Sequence, residues 1–278
     1  MAHPIRQERI LILCKTYPSP STKYVETSCV AGMTESGDLI RLYPVPFRLV
    51  TDQQQFKKWQ WIDARVQHAS DDRRVESHRL HVDTIKIGEV VPTAKDWSQR
   101  RRWLDMLPVF DDFDALERAR QQRGGPTLAL LRPSRILALD TKPVKDRDWT
   151  PEEKAKLTQL QAQGNLFAHS DPDIRLLKKL PYDFHYRYEC RAGSSVTSYR
   201  HKIVDWEIGA LYWNVERKHG TAWEAPLRAK FETQFASKDL MFLMGTIHRF
   251  PDQWLIVSVI YPPKLQPGTQ VQGSLFGP

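Results

Sequence analysis

Residues 240–261 read LMFLMGTIHRFPDQWLIVSVIY, and two runs in it, MFLM (241–244) and WLIVSVI (254–260), are almost wholly apolar. A strand with one face in water alternates apolar and polar side chains, because neighbours along it point to opposite faces. These runs do not alternate. Each is expected to be a central strand covered on both faces, the two joined by the turn RFPDQ.

Working upstream, the order helix, turn, helix, hairpin over 205–262 allows a winged helix, in which a helix at 222–235 would enter a DNA groove. A wing is a solvent-facing hairpin and should alternate, so the apolar runs favour a sheet backed by two helices. Asp205 is placed to cap the first of them, WEIGALYWNVERKHG, on which Ile208, Leu211, Tyr212 and Val215 form one face. Trp223, Leu227, Phe231 and Phe235 keep register along the second, with Pro226 one turn in pushing its start later. A hairpin, YDFHYRYEC and SYRHKIV around AGSS, opens this unit, which becomes a ββααββ domain over 181–263 with an antiparallel sheet.

The first half is rich in β-formers: RILILCKT, YVETSCVAG, LIRLYPVP, then WQWIDARVQ and RVESHRLHV as an antiparallel pair. Two helices follow, DWSQRRRWLDML with Asp96 as N-cap and DDFDALERARQQRGG closing on glycine. TLALLRPSRILALDTKPV supplies two more short strands. The fold class expected is α+β, with a β-rich domain over 1–148 for which a small barrel is one form. A helical linker over 149–180 has Thr150 as cap, Pro151 at the first helical position, Glu153 completing a capping box and Gly164 at its end. A flexible tail occupies 264–278, where Pro267, Gly268, Gly277 and Pro278 forbid a helix.

The 278 residues carry 41 Lys and Arg against 33 Asp and Glu, a net charge of +8 spread over both halves. Such a balance favours polyanionic partners, nucleic acid first. Two stretches mix arginine with aromatic rings, RLYPVPFR and WSQRRRW, so Arg41, Tyr43, Arg48, Trp97, Arg100, Arg101 and Arg102 are the expected nucleic-acid contacts. No run approaches eighteen apolar residues, so no membrane span is expected. The opening MAHPIRQERILILCKTYP has too short an apolar stretch for a signal peptide, and three cysteines, an odd number, suit a reducing cytoplasm.

No catalytic signature emerges, and whether the chain is an enzyme stays open. Cys190, His185 and His201 lack the paired spacing of a structural zinc site, so no metal is expected. Asp205 and Glu216 on one helix lie about 16 Å apart along its axis, too far to share an ion. Cys14 and Cys29 sit in apolar strands and are expected to pack in the core. Neither standard phosphate-cradling glycine loop is present, so no cofactor is expected.

In the tail, Gln272-Gly273-Ser274-Leu275-Phe276 resembles the peptide by which bacterial polymerases and repair factors hold the sliding clamp, a glutamine, two variable positions and then Leu-Phe. The resemblance implies that Leu275 and Phe276 fill an apolar pocket of the clamp while the Gln272 amide fixes register. The same spacing recurs at Gln163 to Phe167, just past a helix end, where Leu166 and Phe167 have a structural use as a hydrophobic cap contact. The domains, in CKTYPSPSTKYVE, IRLYPVPFR, PYDFHYRYEC and HKIVDWEIG, resemble uncharacterised bacterial open reading frames with no assigned activity. The expectation is a DNA-associated accessory protein docked on the clamp, in a replication, repair, mobile-element or phage-defence setting. An enzyme acting on nucleic acid or nucleotide between the two domains, and a small-molecule sensor or scaffold, are the alternatives. Oligomeric state is not readable.

Overall fold

The structure is a computed structural model describing residues 3–21, 25–45, 54–94, 96–155 and 178–265. Arg48, the Gln163–Phe167 stretch, and Gln272, Leu275 and Phe276 lie outside the described residues.

Five strands, β1 (Ile5–Lys15), β3 (Val25–Thr34), β4 (Leu39–Val45), β5 (Gln60–His68) and β6 (Ser77–Val90), run in the order β1-β5-β6-β4-β3. Pairing of β1 with β3 closes them into the small barrel, with short β2 (Ser19–Ser21) added beside β3. β1 explains why ILILC is unbroken. Its Ile10 and Ile12 fill the barrel with Val30, Ile40, Leu42, Ile62 and Val66, while Leu11 and Leu13 point outward into a second core. Where β1 and β3 cross closely, Gly32 is required: a Cβ there would stand 2.4 Å from the Leu11 carbonyl oxygen.

The second sheet has seven strands: β7 (Val109–Phe110), β8 (Leu128–Leu131), β9 (Arg135–Pro143), β10 (Tyr182–Ala192), β11 (Ser195–Ile203), β12 (Met241–Ile247) and β13 (Phe250–Ile260). Their order is β7-β8-β12-β13-β11-β10-β9. β12 and β13 are central, as the apolar runs require. Met241, Leu243, Val257 and Ile260 face the barrel's outward Leu11, Leu13 and Trp61, whereas Phe242, Met244, Ile256 and Val259 face the helices. The winged-helix alternative is thereby excluded: the protein is a two-domain α+β fold in three layers, barrel, sheet and helices.

Four local expectations are corrected. β8 and β9, expected in the unit over 1–148, pair in the second sheet, which therefore begins at 109; their partners lie far along the chain, Phe242 opposite Leu131 and Tyr186 opposite Leu139, out of reach of local patterning. The sheet is also mixed, since β7 runs parallel to β8 and β11 parallel to β13. Helix α1 (Ser98–Leu104) starts at Trp97, a left-handed residue with φ of 67°, and Asp96 does not cap it. Helix α2 (Phe113–Arg120) is capped by Asp112 and ends at Gln121, before the glycines.

Other helix signals hold. Thr150 and Glu153 form the reciprocal capping box. Asp205 caps α3 (Trp206–His219), which ends at Gly220 with φ of 54°. Pro226 falls in the first turn of α4 (Glu224–Arg228), and the chain continues as a wide π-helical segment over Ala229–Phe235. The carbonyl of Phe231 in that segment accepts from the buried Tyr186 hydroxyl at 2.9 Å. The same helices protect the sheet's edge. Glu232 accepts from the Leu139 amide at 2.7 Å and Arg228 donates to the Leu139 carbonyl, so β9 offers no free pair there to a stray strand.

Amides of 241–244 and 255–260 are expected to exchange with deuterium more slowly than those of β9, β10 and β11, whose outer face is solvated, as measured by exchange mass spectrometry. Fast exchange in MFLM and WLIV would contradict the three-layer packing.

Candidate functional site

The arginine-aromatic stretches turn out to be largely internal. Arg41 is 2% exposed; its Nη2 donates to the Thr127 carbonyl at 2.9 Å and its guanidinium packs against Gly245, where a Cβ would come within 3.2 Å of it. Around it, Glu76 accepts from the Thr127 amide and hydroxyl, and Arg74 donates to the Thr246 carbonyl while chelating Asp72. Burial alone would raise the Asp72 carboxyl, but bonds from Arg74 and Ser77 outweigh it and hold it well below the usual carboxylate range. This network joins barrel to sheet. Tyr43 is exposed nearby on β4.

Three successive arginines on α1 point three ways, as 100° per residue dictates. Arg101 is buried, paired with Asp239 at 3.2 Å and donating to the Pro263 carbonyl. Arg100 lies 4.8 Å from the ring centres of both Trp59 and Trp97 and donates to the Val91 carbonyl. Only Arg102 is solvent-exposed, over the Trp103 ring. Arg41 and Arg101 thus reach no phosphate in this conformation; Arg102 and Tyr43 remain at the surface.

Basic side chains do converge elsewhere. A cavity of about 490 Å³ opens between the β8–β9 turn, the approach to β12 and the exit from β13. Arg132, Arg135, Lys238 and Lys264 line it, with Asp239 the single carboxylate among the described residues there. Asp239 is already engaged by Arg101 and Arg132. Arg135, Lys238 and Lys264 are exposed and have no ion-pair partner among the described residues. Nothing in the sequence marks these four, because they lie far apart along it and each has an ordinary neighbourhood.

A second cluster lies where barrel, helix and sheet meet. Asp205 accepts from the Glu207 amide, the Val259 amide and the Lys58 ammonium. Lys58 also pairs with Glu207 at 2.9 Å. Burial would depress its pKa, but the Asp205 and Glu207 charges overcome that and raise it above the ordinary lysine value. Lys15, at the end of β1, differs: its ammonium donates to the Phe56 carbonyl at 3.0 Å and sits near the Phe56 and Trp206 rings. Burial brings its pKa down to about 8 despite the Glu207 and Asp205 charges.

Cys14 and Cys190 are buried and Cys29 is partly so; burial raises all three thiols, against the thiolate character of a nucleophile. His201 hydrogen-bonds the Tyr188 hydroxyl and is opposite Tyr186, away from Cys190. Among the described residues no group of three or more His, Cys, Asp or Glu is placed to hold a metal ion, and no helix is long and apolar enough to cross a membrane.

Because Arg101 holds one partner of a buried pair, Arg101→Ala should cost about 3 kcal/mol of stability, whereas Arg102→Ala should stay within about 0.5 kcal/mol. Urea-unfolding midpoints of the two variants check this; equal effects would contradict the division of roles on α1.

Residues 6–106 match a family described as Domain of unknown function (DUF8758), and residues 109–278 match Domain of unknown function (DUF8757). The break between the matches falls where the chain leaves α1 for the second sheet. No curated protein matches the chain. The second match covers more than half of the 278 residues, and the chain belongs to the DUF8757 family.

Proposed function

We propose that the protein is a DNA-associated accessory protein that holds nucleic acid at the cavity lined by Arg132, Arg135, Lys238 and Lys264 and docks on the bacterial sliding clamp through its tail. The observation that supports the first part is the convergence of four cations on one cavity whose single carboxylate among the described residues is already paired. Unpaired cations on an open concave surface release counterions when a phosphate backbone displaces their solvent, and that release is the main sequence-independent term in DNA binding. Leu265, on the cavity wall, is followed in sequence by the segment that carries QGSLF, so the two parts of this reading fall close together along the chain. Three free cysteines suit a reducing cytoplasm, where both partners are found.

Titration with duplex or single-stranded DNA should show affinity falling steeply between about 50 and 200 mM salt. The combined variant Arg135→Ala, Lys238→Ala, Lys264→Ala should reduce the slope of log K against log salt by about two or three units. No binding at about 50 mM salt, or an unchanged slope in the variant, would remove this reading.

The tail has its own test. A peptide of residues 264–278 should bind a bacterial sliding clamp in the micromolar range, roughly −8 kcal/mol, and lose that affinity when Leu275 and Phe276 become alanine. The same double change in the whole protein should leave thermal stability nearly unaltered. Lost stability with no clamp affinity would make the tail part of the protein's own core.

A further inference from the structure

On the reading of the basic cavity as a nucleic-acid site, its size, walls and charge narrow which part of a strand it takes. A volume of about 490 Å³ is that of a sphere roughly 10 Å across, in the range of a small-molecule pocket. One nucleotide fits such a space. A B-form duplex, whose major groove alone is about 12 Å wide, does not enter it and can only lie across the mouth.

The walls give a base little to hold. Among the described residues no aromatic ring lines the cavity, and Pro133, Ile136 and Leu265 supply its apolar surface. Single strands bound along their length rest on rings over which successive bases stack, and that platform is missing here. Recognition falls on phosphate.

The charge exceeds what an internal phosphate can use. Asp239 is taken up by Arg101 at 3.2 Å and Arg132 at 3.1 Å, while Arg135, Lys238 and Lys264 have no ion-pair partner among the described residues. A phosphodiester within a strand brings a single negative charge. A terminal phosphomonoester brings about −1.5 to −2 at neutral pH and three strong acceptor oxygens, a closer match to three free cations in one small space.

The backbone under these cations is held from behind. One guanidinium, Arg101, donates to Asp239 and to the Pro263 carbonyl, the sequence neighbours of Lys238 and Lys264. The Asp239 amide donates to the Pro262 carbonyl at 2.9 Å and joins the same two segments directly. On the third wall, the amide and hydroxyl of Ser134, next to Arg135, both donate to the Glu189 carbonyl, at 2.8 and 3.0 Å. Three separate stretches of chain are thus set before a ligand arrives, which lowers the ordering cost of binding.

We propose that the cavity takes the phosphorylated end of a nucleic-acid strand, with the terminal phosphomonoester held by Arg135, Lys238 and Lys264 and the first sugar against Pro133, Ile136 and Leu265. The chemistry is common to a 5′- and a 3′-phosphate, and the test separates them.

The whole protein is titrated with one internally labelled DNA strand in four forms: 5′-phosphorylated, 3′-phosphorylated, hydroxyl at both ends, and ligated into a circle. Fluorescence anisotropy is read at about 50 mM salt. One phosphorylated form should bind about tenfold or more tighter than the hydroxyl-ended strand and the circle, and phosphatase treatment should erase the gain. Lys238→Gln combined with Lys264→Gln should bring that form down to the level of the circle, whereas Lys86→Gln, exposed on β6 of the barrel, should keep the preference. Should the double variant not fold, Arg135→Gln, exposed on a different wall, replaces it. Equal affinity for all four forms overturns the proposal and leaves nucleic-acid binding at the cavity standing. A preference that survives the loss of both lysines places the strand end elsewhere and also overturns it. If no form binds, the reading of the cavity itself falls, and the proposal with it.

Discussion

One carboxylate, Asp205, ties the three layers together. Its two oxygens, with only 3% of the side chain exposed, accept from the first turn of α3, from the Val259 amide at the end of β13 and from Lys58 on the barrel side. The backbone closes the same junction, through a bridge between Thr16 and Asp205 and a bond from the Tyr17 amide to the Val204 carbonyl. A buried carboxylate is tolerated only when its lone pairs are filled and a countercharge is near. Here both conditions are met by groups from different layers, so helix, sheet and barrel are mutually positioned by the demands of one charge. Loss of Lys58 would leave that charge buried and unpaired, a heavier penalty than the pair itself returns in stability.

Arg41 does the corresponding work at the other seam, and an arginine so placed is hard to tell by composition from one that contacts phosphate. An arginine amid aromatic residues satisfies two physical descriptions equally well: a phosphate contact flanked by stacking rings, or a buried fork whose stem packs on those rings. Arg41, Arg100 and Arg101 are of the second kind. Their five donors reach carbonyls of Thr127, Val91 and Pro263, groups at strand ends that would otherwise face the core unpaired. Net charge survives this assignment, but it resides in side chains that no motif singles out.

What the sequence reveals follows from the range over which its patterns act. Unbroken apolar runs at 10–14, 241–244 and 254–260 disclose strands buried on both faces, because that requirement is local to each strand. Caps at Thr150 and Asp205 are legible for the same reason. The membership of β8 and β9 in the second sheet is not, since LALL would serve any central position and its partners lie across the chain. Nor is the difference between Lys57 and Lys58 in FKKWQW visible: one is exposed and the other pairs with two carboxylates some 150 residues away, a contact made only across the folded seam. Asp96 misled because a short polar residue before a tryptophan mimics an N-cap, while the chain there takes left-handed turns at Asp96 and Trp97 instead.

The two candidate sites share the exit of β13. Val259 bonds Asp205 and Lys58, Tyr261 stacks on Phe235 at 4.0 Å and lies 5.5 Å from Trp97, and Lys264 lines the basic cavity. Five extended residues span at most about 18 Å, so the amine cluster and the cavity are neighbours along one stretch of chain. They hold lysine in opposite settings. Lys238 and Lys264 are exposed beside the basic cavity. Lys58 is held between Asp205 and Glu207, and Lys15 is partly buried at the end of β1. The setting of each lysine therefore follows from its solvent access, and the exit of β13, tied to Asp205 through Val259 and to Arg101 through Pro263, carries both attachments within a few residues.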